Sequence, residues 1–174
     1  MRRGARGSGY SGWASGSTAP IVPGVAGPAA NTSRRHYNLW SNQCLQPVNG
    51  STEQGTAIIQ EPCDGGAGQQ WMEISVGSNI FHYVNVLSGL CLDARGAAKN
   101  GTPVQQWTCN RISNENWQPG EDIADDIPPL FSRVSGTNSY CLDIPGAQQT
   151  AGLGCRSTAA TGPRRRNGGS LHHR

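Results

Sequence analysis

The sequence contains no apolar run long enough to cross a bilayer, so no membrane-spanning helix is expected. Aromatic residues make up only 6% of it, there are two methionines, and no helical periodicity is sustained, whereas Gly 24 and Pro 11 punctuate the chain. That balance disfavours helices and favours short strands joined by turns. At 174 residues and 35% hydrophobic content, the chain can bury one core of modest size. Charge is scarce, at 14% of residues, and the formal net charge is only +3. Much of the positive charge sits near the two ends, in Arg2, Arg3, Arg6, Arg34 and Arg35 and in Arg164, Arg165, Arg166 and Arg174. The middle is neutral to acidic, which is not the profile of a nucleic-acid binder.

Chemical machinery is equally sparse. No CxxC pair occurs, and His36, His82, His172 and His173 form no zinc spacing with Cys or Asp. No serine elbow or phosphate loop is present, so neither a metal nor another cofactor is expected. Glycoside hydrolysis needs two facing carboxylates. The nearest candidates, Glu121, Asp122, Asp125 and Asp126, cluster in PGEDIADDIPP, which reads as a solvated loop. Catalysis is not expected.

Residues 1–34 read as a flexible Gly/Ser/Ala/Pro segment. A basic start (Arg2, Arg3) precedes Ala19-Pro20-Ile21-Val22-Pro23, which lacks the apolar middle of a secretory signal. Secretion is argued instead from the six cysteines, which suit an oxidising compartment and allow fifteen pairings. From Tyr37 the character changes to short alternating strands, at Tyr37–Leu39, Ala57–Ile59, Ile80–Val86 and Leu130–Val134, with turns rich in Gly, Asn and Ser.

The cysteines expose a repeat. Cys44 to Cys63 spans nineteen residues and Cys91 to Cys109 eighteen, and a tryptophan follows eight residues later in both copies, at Trp71 and Trp117. Ser88-Gly89-Leu90-Cys91-Leu92-Asp93 is answered by Asn138-Ser139-Tyr140-Cys141-Leu142-Asp143. Three copies with a period near 45 to 50 residues fit a closed threefold all-β barrel better than a propeller. Trp71 and Trp117 hold the same place whatever else a copy has lost, which marks them as core. Trp107 has Glu61 at its counterpart, so packing does not require an aromatic there, and Trp107 is the better surface platform.

Cys-Leu-Asp, then Gln-x-Trp-x-Cys-Asn, then a Gln-x-Trp ending resembles the ricin B-type lectin domain, over about Tyr37 to Leu153. The resemblance implies an all-β fold, a β-trefoil of three Cys/Gln-x-Trp repeats, with one disulfide closing each repeat (Cys44 with Cys63, Cys91 with Cys109). It further implies that Asp93 grips vicinal hydroxyls, Trp107 stacks under the sugar, and Gln105 and Asn114 supply amide contacts. Asn110, which ends the Gln-x-Trp-x-Cys-Asn phrase, belongs to the same set, and Glu115 stands where the family usually has Gln. The chemistry is sound. A flat ring stacks on the C–H face of a pyranose, a carboxylate accepts from paired hydroxyls, and amides check their orientation.

The first repeat has Gln46, Ile59, Glu61 and Gly68 at the matching places and reads as scaffold. The third begins with Cys141-Leu142-Asp143, but GCRSTAATGPRRRNGGSLHHR follows Leu153 without a strand pattern. One admissible set of codons for Gly154 to Gly168, read from the third base, spells Leu-Gln-Val-Tyr-Arg-Cys-Asn-Gly-Ala-Ala-Ala-Gln-Lys-Trp, which restores the missing motif. We therefore expect an out-of-frame third repeat, with Asp143 stranded from its partners and Cys155 a free thiol. Loss of its last strands would leave open edges and a low denaturation midpoint. The expected organisation is residues 1–34 as a flexible segment, 35–153 as the trefoil (repeats about 37–78, 79–124 and 125–153), and 154–174 as a basic disordered tail.

The function expected is non-catalytic binding of a galactose-type sugar or a plant polysaccharide such as xylan by a secreted monomer. Neither nucleic acid nor membrane is an expected partner, and by resemblance a glycoside hydrolase domain accompanies such modules in longer relatives. The alternatives are an inhibitor-like protein-binding trefoil and a degraded accessory module.

Overall fold

The computed structural model describes residues 13–17, 33–38, 41–96, 99–120, 130–136 and 140–159. The acidic loop with Glu121, Asp122, Asp125 and Asp126, the arginines at 164–166, and His172 and His173 lie outside them. The strands are β1 (Trp13–Ser17), β2 (Ser33–Asn38), β3 (Gln43–Pro47), β4 (Ile58–Pro62), β5 (Gln70–Gly77), β6 (Ile80–Asn85) and β7 (Cys91–Asp93). They continue with β8 (Thr102–Pro103), β9 (Gln105–Trp107), β10 (Trp117–Pro119), β11 (Leu130–Ser132), β12 (Tyr140–Asp143), β13 (Leu153–Gly154) and β14 (Arg156–Ala159). Short 3₁₀ turns of three residues are the only helices among the described residues. All strand pairing is antiparallel, in the order β13-β4-β3-β2-β5-β6-β10-β11-β12-β14-β8, with β7 between β6 and β9.

Threefold symmetry is written into the backbone. Ile58 N–H donates to the carbonyl of Val104 (3.0 Å), Val104 N–H to that of Cys155 (3.0 Å), and Cys155 N–H to that of Ile58 (2.7 Å). A second ring runs parallel to it: Gly55 N–H to Gln106 (2.8 Å), Gly101 N–H to Ser157 (2.8 Å) and Gly152 N–H to Gln60 (2.9 Å). Closed three-membered rings require three equivalent strands around one axis, so each hairpin tip leans on the next repeat. Gly55, Gly101 and Gly152 all have positive φ (83°, 82° and 78°), which only glycine adopts at little cost.

The core follows the same rule of three. Leu45, Leu92 and Leu142 are each at most 1% exposed, and Ile58, Val104 and Cys155 sit inside them. Trp71 and Trp117 are fully buried, as their constancy across the repeats predicts. Each indole N–H is satisfied by the carbonyl of the leucine after its repeat's first cysteine, Trp71 to Leu45 (3.0 Å) and Trp117 to Leu92 (2.9 Å). Disulfides join Cys44 to Cys63 and Cys91 to Cys109, whereas Cys141 and Cys155 are free and buried.

Two sequence expectations need correction. Residues after Leu153 do form strands: β13 pairs with β4, and β14 pairs with β12 over four residues. Cys155 is apolar enough to complete the inner ring, and Ser157 and Thr158 fit the pleat, so order continues to Ala159. At the other end, Trp13–Ser17 and Ser33–Asn38 are strands within the segment read as flexible up to residue 34.

Candidate functional site

The β7–β9 ladder carries the site. Its register sets Cys91 opposite Trp107, Leu92 opposite Gln106 and Asp93 opposite Gln105. Gln105 and Trp107 are two residues apart and share one face of the strand. Asp93 Oδ1 accepts from Gln105 Nε2 (2.9 Å) and from the Arg95 N–H (2.7 Å), which uses both lone pairs of that oxygen. Oδ2 accepts no bond among the described residues. Asp93 and Gln105 are only 1% and 8% exposed, so they form a floor, while half-buried Trp107 and Asn114 stand above it at the rim.

Asn114 comes from the 3₁₀ turn Ser113–Glu115, which is pinned to the floor strand because Ala94 N–H donates to the Asn114 carbonyl (3.0 Å). Trp107 is backed by the neighbouring repeat. A Cβ at Gly55 would lie 3.4 Å from Trp107 Cζ3, and Thr108 hydrogen-bonds Gln54 beside it.

Glu115 and Asn110 meet in a loop-closing contact. Glu115 is fully buried, and its carboxylate accepts from Asn110 N–H (2.8 and 3.1 Å) and Arg111 N–H (2.8 Å), closing the 109–115 loop. Asn110 takes part through its backbone, and its side chain is exposed at the loop's edge. In repeat one the same place is held by Gln69, whose Oε1 accepts from Asp64 N–H (2.9 Å) while its Nε2 donates to Gln46 (2.9 Å). Gln46 matches Asp93. A glutamate cannot supply that donor, so Asp93 has no such support from Glu115.

The other two repeats lack the constellation. In repeat one, Gln46 faces Ile59 and Cys44 faces Glu61. In repeat three, Asp143 lacks the amide and aromatic partners, as its sequence context suggests, but gains an ion pair. Arg156 stands in the place of Gln105 and donates Nε and Nη2 to Asp143 Oδ2 (3.3 and 3.2 Å), and Thr158 replaces the aromatic. The guanidinium occupies Oδ2, the oxygen that on Asp93 accepts no bond among the described residues.

Sequence reading missed Gln60 and Gln106. Each accepts from a serine three residues before the repeat's first cysteine, Ser41 to Gln60 (2.9 Å) and Ser88 to Gln106 (2.8 Å). Each then donates to two carbonyls of an adjoining repeat, Gln60 to Gln148 and Thr150 (both 2.9 Å), Gln106 to Ser51 and Glu53 (2.8 and 2.9 Å). The Ser-x-x-Cys-Leu spacing, present twice, was the available signal. Repeat three has Ser157 there, with a buried hydroxyl that has no partner among the described residues.

His82, Cys91 and Glu115 bring ligand atoms within 4.8 Å of one another. Cys91 is in a disulfide, His82 Nε2 is bonded to Asn116 (2.8 Å), and Glu115 holds its loop, so the cluster has no donors to spare for a metal.

Comparison with known proteins decides the family. The model of the ricin-type beta-trefoil lectin domain-like family matches residues 36–107 and again 73–159, two overlapping placements that follow the internal repeat. The chain belongs to this family. Among solved structures, this ricin-type trefoil is similar to the designed 3-fold symmetric protein ThreeFoil, at 28% identity and TM-score 0.64 over 69% of this chain and 84% of that one. It is also similar to an exo-beta-1,3-galactanase from Clostridium thermocellum, at 26% identity and TM-score 0.70 over 76% of this chain but only 28% of the galactanase. The Macrolepiota procera ricin B-like lectin, solved in complex with lactose, shares the fold at 21% identity and TM-score 0.61, over 77% of this chain and 90% of that one. No curated protein sequence matches. The family is one of non-catalytic carbohydrate-binding domains, and carbohydrate binding in general is the activity its fold supports.

Proposed function

We propose that repeat two is the chain's sugar site. A galactose-type sugar, or a sugar unit of a plant polysaccharide such as xylan, stacks on Trp107 and sends its hydroxyls to Asp93 Oδ2. Gln105 holds Asp93 in orientation and Asn114 contributes an amide at the rim. The observation that carries this reading is an Asp93 Oδ2 that accepts no bond among the described residues, on the same ladder as a half-buried Trp107, a combination that neither other repeat retains. The lactose-bound lectin and the galactanase among similar structures support a galactose-type ligand.

Binding is non-catalytic and weak, about 0.1–1 mM, because one shallow site buries few atoms. The module works as a monomer and outside the cell, a placement supported by the two disulfides. In longer relatives it accompanies a glycoside hydrolase domain. A glycan array tests the assignment: hits confined to terminal galactose or xylan support it, and a folded sample without hits favours a protein partner instead.

A further inference from the structure

In the barrel, β5 pairs with β2 on one edge and β6 on the other, and β10 pairs with β6 and β11. These are the closing strands of repeats one and two, and each starts at or beside its buried tryptophan, Trp71 or Trp117. Symmetry calls for a third closing strand between β11 and β2. The fifteen residues after Ala159 contain no tryptophan to lead it.

The outer edge of β2 is nevertheless covered. Arg34 pairs with Trp71 on one side and Ser17 on the other, and Arg35 with Gln70 and Gly16, so β1 and β5 flank β2. The register of β1 repeats that of β5 on β6. Trp13 stands opposite Asn38 as Trp71 stands opposite Asn85. The correspondence of Asn38 with Asn85 is independent of β1, because Tyr37 and Val84, the residues before them, pair with Cys44 and Cys91, the first cysteines of their repeats. The next four pairs continue in step: Ala14, Ser15, Gly16 and Ser17 face Tyr37, His36, Arg35 and Arg34, as Met72, Glu73, Ile74 and Ser75 face Val84, Tyr83, His82 and Phe81. The first 32 residues hold a single tryptophan, and it falls at the one position where the repeat requires one.

We infer that Trp13–Ser17 replaces the closing strand of repeat three, and Trp13 its closing tryptophan. The slot beside β2 is a strand-binding site of the barrel, and its occupant is the chain's own N-terminal strand. The edge of β2 is thereby capped in cis by a strand that precedes repeat one. Nothing in this depends on which sugar, if any, repeat two binds.

Guanidinium denaturation of the full chain tests the inference with Trp13→Ala and Trp13→Phe, using Trp71→Ala as the yardstick. Trp13→Ala should lower the midpoint by at least half as much as Trp71→Ala, and Trp13→Phe should recover most of that loss. A Trp13→Ala midpoint equal to wild type would overturn the assignment. Hydrogen exchange on the unmodified chain decides the matter even where a variant fails to fold. Amides of Ala14 to Ser17 protected to the degree of Met72 to Ser75 support the closing strand, and exchange at the free-chain rate refutes it.

Discussion

Trp107, Glu61 and Thr158 occupy one position of the ladder in the three repeats, and the indole shares its ladder with a carboxylate, Asp93, whose Oδ2 accepts no bond among the described residues. The residue types were legible in sequence because chemistry names them: an acid, an amide and an aromatic at fixed offsets. Burial was not. Glu115 looked like a further contact, yet it is enclosed and accepts from two loop N–H groups, a fact set by packing that no offset reveals. Replacing it with the amide that repeat one uses should return a donor to Asp93. Glu115→Gln is expected to tighten sugar binding by about threefold, a little under one ordinary hydrogen bond, and calorimetric titration would show it. Gly55→Asn tests the backing of Trp107. Asparagine tolerates positive φ, so the backbone strain should match that of Gly101→Asn and Gly152→Asn. Only at Gly55 does the new side chain meet the indole, so only that variant should shift Trp107 emission and weaken binding.

At the scale of elements, the repeat spacing placed the hairpins and both disulfides' cysteines, because periodicity survives loss of individual residues. Strands β1 and β14 escaped notice for the opposite reason. Each depends on the edge it pairs with, and their Gly/Ser/Ala-rich sequences carry no alternation of their own. The amide clamps between repeats were hidden too, since Gln60 and Gln106 act on loops far away in sequence. Truncating Gln106 leaves the Ser51 and Glu53 carbonyls without their donor, so Gln106→Ala should cost about 1–3 kcal/mol in guanidinium melts. Repeat three also leaves two thiols inside. Burial, with a smaller push from the Asp143 charge, raises Cys141 to about 12 and lifts Cys155 well above its ordinary value. Both therefore stay protonated near neutrality, and a thiol reagent should label neither in the native protein but both once it is unfolded. Rapid labelling of the native chain would contradict their placement.

At the scale of the molecule, the three repeats differ: the proposed site lies in repeat two, repeat one lacks its acid and aromatic, and repeat three keeps Cys141-Leu142-Asp143 but sets Arg156 and Thr158 opposite them. The out-of-frame reading of repeat three gains a definite register from the ladder. Its leucine would fall in the place of Cys155, its glutamine in that of Arg156, its tyrosine in that of Thr158, and its cysteine nineteen residues after Cys141. Its final tryptophan would then belong to the slot that β1 covers. We propose on this basis that the gene's codons from Gly154 onward spell that motif, which nucleotide sequencing can check directly. The central claim is a single sugar site on Trp107 and Asp93. The measurement that tests it most directly is a fluorescence titration of the folded chain with galactose, lactose and soluble xylan, alongside Trp107→Ala and Asp93→Asn. The account predicts a saturable change with one site per chain, weakened about tenfold or more in both variants. Equal binding by all three proteins, or none by a wild-type chain shown to be folded, would contradict it.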